Sequence, residues 1–365
     1  MNATQHRQGN DCITITHGGV SELFVNVQGN RNADPGLMFD ALDQQLAGFD
    51  GSIARTDIIG RINNWHGKQQ QEYCFNCGTC PFNEEHNHTN CPMTGVQCHA
   101  VSGVPVKPVW LGDRIVGTTW EDKHARYCEL KDVHPGLMYE SPGDQVTQVL
   151  ELIEHALGRV DMDFHNVVRK WFFCHKILDW YDELNAARHA FFTSRGVFDR
   201  MVPASTGVGG RNVFGSALTA DVFAVAPKSD ACSYFAVPSP LQCPALKYGS
   251  SFSRATEVDT PDLRRLFISG TASIEPGGKT AHVGDVRKQV DLTLQVVYGI
   301  LESRQMGWED VTRGVAYFLN GDDIPVLEEY CREAGLPKFP VVVARNTVCR
   351  DDLLFELEVD AVKTS

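Results

Sequence analysis

Apolar and polar positions along this chain switch between two periods, and the order of the switches repeats. Leu23-Phe24-Val25-Asn26-Val27 is rich in the β-branched and aromatic residues that suit a strand. Met38, Leu42, Leu46 and Phe49 then recur at helical spacing, behind Asp34 as N-cap and Pro35 at the first helical position. Gly51 ends that helix, and Ile53–Ile62 reads as a strand. A second unit starts near Arg126. Ser141-Pro142 opens a helix with Val146, Val149, Leu150, Ile153 and Leu157 on one side, closed by Gly158. The strand Val167–Phe173 and a helix over Asp179–Arg195 follow. The third unit runs through the strand Leu266–Gly270, a helix from Asp285 with Val290, Leu294, Val297 and Leu301 inward, the strand Val311–Leu319 and a helix over Ile324–Ala334.

Strand, helix, strand, helix, then two strands is the order of the second and third units. It predicts an α+β fold: mixed sheets with helices on one face, in repeated domains. The expected boundaries are 1–120, 121–245 and 246–365. The first unit matches only through its first strand, helix and strand, and again at Leu111–Trp120.

The chain closes on two apolar runs, Pro340–Thr347 and Leu353–Glu358, read as strands joined by the polar turn Arg350–Asp352. Arg345 interrupts the first run. Glu356 stands between Phe355 and Leu357, where an ionised carboxylate is costly to bury unpaired. A basic anchor and a carboxylate on neighbouring strands make a candidate small-molecule site; the alternative is an amphipathic strand with Glu356 on its wet face. In the second unit the place of Arg345 is expected at Ser205, and that of Glu356 near Asp221.

These strands resemble the C-terminal end of the RidA superfamily. Cys349-Arg-Asp-Asp-Leu-Leu-Phe-Glu356 is closer still to the chorismatases, a two-domain branch of it. Further runs carry the likeness from about Val168 to Val362: Pro203–Gly209, Tyr248-Gly249, Phe252-Ser253-Arg254-Ala255, Leu266–Ser273 and His282–Asp285. The loop after Tyr248-Gly249, Ser250-Ser251, is shorter than in that branch. The resemblance implies chorismate-mutase-like domains, here arranged as an internal pseudo-trimer with sites between units. It implies catalytic roles for Glu356 as general acid, Arg345 as carboxylate anchor and Cys349 on the pocket wall. Arg188, Ser205, Tyr248 and Arg254 become substrate-binding candidates. Bland alternatives are a solvated helix arginine for Arg188, a half-buried structural tyrosine for Tyr248 and a packed thiol for Cys349.

The net charge of −13 argues against a nucleic-acid partner. No apolar run approaches membrane-spanning length, and Met1–Asn10 has no apolar signal core, so a cytoplasmic protein with no membrane partner is expected. Whether it is a monomer or a homo-oligomer is left open. Twelve cysteines without a secretion signal point to reduced thiols or metal ligands.

Five of those cysteines fall between Cys74 and Cys98, in a polar insert over 73–99 with His86 and His88. Cys-x2-Cys-Gly-x-Cys followed by Cys-Pro resembles the iron–sulfur run of bacterial ferredoxins. Cys74, Cys77, Cys80 and Cys91 would then be the thiolate ligands of one cluster. The alternative is tetrahedral zinc, for instance on Cys74, Cys77, Cys91 and Cys98, or with a histidine in place of one cysteine.

Three functions are therefore expected in competition. The first is a chorismatase-like hydrolase or lyase acting on a small carboxylate-bearing enol ether and releasing pyruvate. The second is an imine or enamine deaminase of the RidA type. The third is a non-catalytic metal-binding or redox-sensing scaffold.

Overall fold

The computed structural model describes residues 3–9, 11–29, 35–60, 79–80, 93–136, 141–212 and 214–365. Within them, β1 (Thr4–Gln8), β2 (Cys12–His17), β3 (Val20–Gln28), β4 (Ser52–Gly60) and β6 (Met93–Ser102) form a five-stranded sheet in the order β1-β2-β3-β6-β4. The two-residue β5 (Thr79–Cys80) pairs with β12 (Arg211–Asn212). A six-stranded sheet follows the order β11-β10-β13-β9-β8-β7. Its strands are β7 (Lys107–Leu111), β8 (Arg114–Glu121), β9 (Ala125–Val133), β10 (Val167–Cys174), β11 (Ala204–Gly209) and β13 (Leu218–Pro227). The third sheet, also of six strands, is ordered β14-β15-β16-β19-β17-β18. It is built from β14 (Ser233–Val237), β15 (Ala255–Asp259), β16 (Leu263–Ala272), β17 (Val311–Phe318), β18 (Val342–Arg345) and β19 (Phe355–Thr364).

Helix α1 (Pro35–Leu46) covers the first sheet, α2 (Pro142–Gly158) and α3 (Ile177–Ser194) the second, and α4 (Val286–Ser303) and α5 (Pro325–Glu333) the third. Asp34, the expected cap of α1, lies outside the described residues; α2 and α4 have side-chain caps. Ser141 accepts from the backbone of Asp144 at the start of α2, and Asp285 from that of Lys288 at the start of α4. Each unit buries its helices against one face of its sheet. The opposite faces of all three sheets meet in one shared core that includes Val101, Trp171, Phe223, Phe267 and Tyr317.

Two boundaries move from their expected places. β7 and β8 belong to the second sheet, so the first unit ends before Lys107 and not at residue 120. β14 belongs to the third sheet, which therefore starts before residue 246. The polar start of the chain is a strand: β1 is an edge strand with alternating exposure, paired with β2.

The repeat is sharpest in register. β4, β10 and β17 each carry a bulge just before an arginine, Arg55, Arg169 and Arg313. The guanidinium carbons of the three lie 4.1, 4.4 and 5.3 Å from the ring centre of Trp171. Counting from these arginines, Trp171 pairs with Asp221 as Val315 pairs with Glu358. Asp221 is thus the counterpart of Glu358, and Thr219 that of Glu356. The same count sets Gly209, not Ser205, opposite Arg345.

The shared core is strongly charged at its centre. A cavity of about 60 Å³ there is lined by Arg55, Asp57, His99, Glu129, Arg265 and Arg313 among others. His99 joins Glu22 and Glu129 at 3.0 and 2.9 Å, bridging the first and second units. Burial alone would lower its pKa; the two carboxylates outweigh burial and hold it at about 9. The folded value lies above the unfolded one, so this stabilisation is complete below about 6.5 and is lost as pH rises through 9. Chemical denaturation from neutral to alkaline pH should register a loss of about 3 kcal/mol that His99→Gln does not show. A flat profile in the native protein would contradict the protonated bridge.

Candidate active site

Glu356 lies on β19, on the face that turns towards the shared core and the second unit. It pairs with Tyr317 of β17 and Ala272 of β16. The bulge in β16 between Ile268 and Thr271 brings Gly270 against its carboxyl, and a Cβ at Gly270 would stand 2.1 Å from Glu356 Oε1. The Gly270 amide donates to Thr206 Oγ1 on β11 at 3.0 Å, which holds the second and third units together at this point. Only 4% of Glu356 is exposed, and no hydrogen bond engages its carboxyl among the described residues. Burial, and then the negative charge of Glu358, raise its pKa to about 8 against the opposing pull of Arg169. Glu356 is therefore a protonated, unengaged acid at neutral pH. Gly270→Ala should displace the carboxyl, cost about 1–3 kcal/mol and lower turnover by about 10²-fold with an unchanged circular dichroism spectrum. Undiminished turnover would show that the carboxyl is not held in place by this contact.

Arg345 does not join it. The expected hairpin is absent, because β17 lies between β18 and β19, parallel to the first and antiparallel to the second. Phe318 pairs with both Arg345 and Phe355 and faces the helix-side core, whereas Tyr317 pairs with Ala344 and Glu356 and faces the shared core. Paired residues share a face, so Arg345 and Glu356 point to opposite faces of the sheet. Arg345 Nε donates to the Leu319 carbonyl at 3.3 Å.

The loop after β18 crosses to the second unit instead. The Gly209 amide donates to the Thr347 carbonyl at 2.7 Å, and Asn346 Nδ2 to the Gly209 carbonyl at 2.9 Å. This seam carries Cys349 between the second and third units, where it packs against both the second unit's core and the shared core. Burial and the nearby Glu356 push its thiol up to about 12, so it is no thiolate at neutral pH. Tyr181 of α3 is its hydrogen-bonding neighbour.

Arg188 is a buried cation close to Cys349. It lies on α3, 4% exposed rather than solvated. One guanidinium nitrogen donates to Asn185 Oδ1, Nε has no partner, and Arg188 forms no ion pair among the described residues. Burial lowers its pKa, and the groups that counter this are thiols and phenols: Tyr181, Cys174, Cys349 and Tyr248. Tyr248 lies under the guanidinium groups of Arg254 and Arg350, 5.5 and 5.4 Å from its ring centre. Arg254 also donates twice to the Cys243 carbonyl, and Arg350 to that of Gly278. Ser205 Oγ and Lys170 Nζ are hydrogen-bonded at 3.0 Å.

Thus the structure gathers Glu356, Cys349, Arg188 and Tyr248, with Arg254 behind Tyr248 and Ser205 behind Arg188. It adds Tyr181, Arg350 and Lys170. Of these only Arg350 had a sequence signal, as the start of the polar turn Arg350–Asp352.

Cys74, Cys77 and Cys91, with His86 and His88, lie outside the described residues, as does the side chain of Cys80, whose backbone pairs with Arg211. Among the described residues no group of three or more His, Cys, Asp or Glu is placed to hold a metal ion. Cys98 is a buried free thiol in the first unit's core, beside Thr56. No helix among the described residues is long and apolar enough to cross a membrane.

No family model matches the chain. It is 26% identical over 302 residues to a 3-hydroxybenzoate synthase from Streptomyces hygroscopicus, spanning 73% of this chain and 84% of that protein. A chorismatase from Streptomyces rapamycinicus is 29% identical over 199 residues, 50% of this chain and 57% of the relative. A chorismatase crystal structure superposes with a TM-score of 0.59 at 19% identity, covering 85% of this chain and 99% of that one. The α+β fold is thus shared with a chorismatase, and the sequence resemblance to proteins of that name is borne out.

Proposed function

We propose that the chain is an enzyme that hydrolyses a carboxylate-bearing enol ether of the chorismate type and releases pyruvate. One observation carries this: a buried guanidinium without a counter-ion among the described residues, Arg188, and a buried protonated carboxyl, Glu356, both stand close enough to Cys349, at the seam between the second and third units, to act on its thiol. An anionic substrate supplies the charge Arg188 lacks. Glu356 then gives its proton to the methylene carbon of the enolpyruvyl group. Water adds to the carbon left cationic, returning a proton to Glu356. The hemiketal C–O bond breaks, leaving pyruvate and an alcohol. The relatives named chorismatase and 3-hydroxybenzoate synthase support the same substrate class.

The three units are, in this proposal, an internal trimer with unequal clefts. The shared register of Arg55, Arg169 and Arg313 supports it. At the position of Glu356 the second unit has Thr219 and the first has Gly95, so the acid occurs once. Incubation with chorismate should release pyruvate, measured by a coupled dehydrogenase assay. No pyruvate from chorismate, with ammonia from 2-aminoacrylate, would replace this proposal with the deaminase.

A further inference from the structure

Behind Arg188 stands a buried amine that no acid answers among the described residues. Lys170 on β10 has none of its surface exposed, and its amine meets Ser205 Oγ at 3.0 Å. The rings of Phe172 and Phe192 wall it in, their centres 4.3 and 5.4 Å from Nζ. The charged groups that reach it are Arg188 from α3 and Arg169 from its own strand, both cations; the Cys174 thiol is the titratable neighbour. It forms no ion pair among the described residues. Burial first, then Arg188, favours the neutral amine here.

A neutral amine can accept the Ser205 hydroxyl proton, whereas an ammonium can only donate. Charging Lys170 therefore turns the Ser205 hydroxyl outwards. Burial is the larger cause of the neutral amine and Arg188 the next; an anion on Arg188 removes that second cause, so docking and protonation assist each other. We propose that Lys170 is a positioning residue of the carboxylate pocket: it takes up a proton when an anion docks on Arg188, and so aims the Ser205 hydroxyl at that anion. This rests on the carboxylate-binding role given to Arg188.

Calorimetric titration with 3-hydroxybenzoate, near neutral pH in two buffers of unlike ionisation enthalpy, tests it. The native protein should take up about one proton per molecule bound. Lys170→Met should fold, since an apolar side chain suits that slot, lose the uptake and bind about tenfold more weakly. Ser205→Ala, a smaller change, should weaken binding by a similar factor while keeping the uptake. Binding without uptake in the native protein, or full uptake in Lys170→Met, overturns the role of Lys170 and leaves the Arg188 pocket standing. No binding by the native protein overturns the pocket itself.

Discussion

Glu356→Gln is expected to lower turnover by about 10²–10⁴-fold and, at the same time, to make the protein more stable at pH 8. Both effects follow from one fact: the carboxyl keeps its proton up to about 8 in the folded chain. In the unfolded chain the same group ionises near 4.3. Its folded pKa is raised, so the native protein loses stability as pH climbs from about 4 to about 8, and by the top of that window the loss amounts to at most about 5 kcal/mol. Glutamine fills the same space, cannot ionise and cannot deliver a proton, so it escapes the loss and forfeits the reaction. Denaturant unfolding at pH 5 and pH 8 should show the two proteins alike at the lower value and the variant ahead at the higher one. The basic limb of kcat/KM, placed near 8 in the native enzyme, should be absent from whatever activity survives. A fully active glutamine variant would remove Glu356 from the chemistry, and equal stability at both pH values would show that it ionises normally.

The stability half of that result was only half visible in the sequence. A carboxylate between Phe355 and Leu357 is a legible signal, because strand periodicity alone leaves it the choice between a wet face and a buried one. What closes the choice is Gly270, which the β16 bulge presses against the carboxyl, and Glu358, whose charge is held by Arg169, Arg313 and Trp171. Both depend on register shifts that periodicity does not report.

Helices were readable for the opposite reason. Their caps and apolar stripes are local: Ser141 and Asp285 bind backbone amides three residues on, whatever the rest of the chain does. β1 was not readable, since Thr4–Gln8 is wholly polar and is a strand only because β2 offers a partner. Arg345 was misplaced by topology. Two successive strands suggested a hairpin, but the parallel pairing of β18 with β17 puts an intervening strand between them and turns the arginine to the other face. Lys170 gave no signal at all: within Val167–Phe173 it reads as a wet-face residue, and it is buried because α3 lies over that face.

Arg188→Met should separate binding from folding on the other side of Cys349. Among the described residues the native guanidinium is buried with a single amide partner and an unpaired Nε, an arrangement that costs stability in the empty protein. Methionine fills similar volume without charge, so the empty variant should melt at a higher temperature than the native protein. Its affinity for a carboxylate such as 3-hydroxybenzoate should fall by about 10²–10³-fold, the loss expected when one partner of a desolvated charge pair is removed. Arg188→Lys should recover part of that loss, because an ammonium restores the charge but not the planar fork that grips two oxygens at once. Glu356 and Cys349 stay in place in both variants, so the defect should lie in KM and binding more than in kcat. A methionine variant that binds as well as the native protein would mean that the buried cation serves the fold alone, and the carboxylate would then have to be sought at Arg254 and Arg350, around the ring of Tyr248.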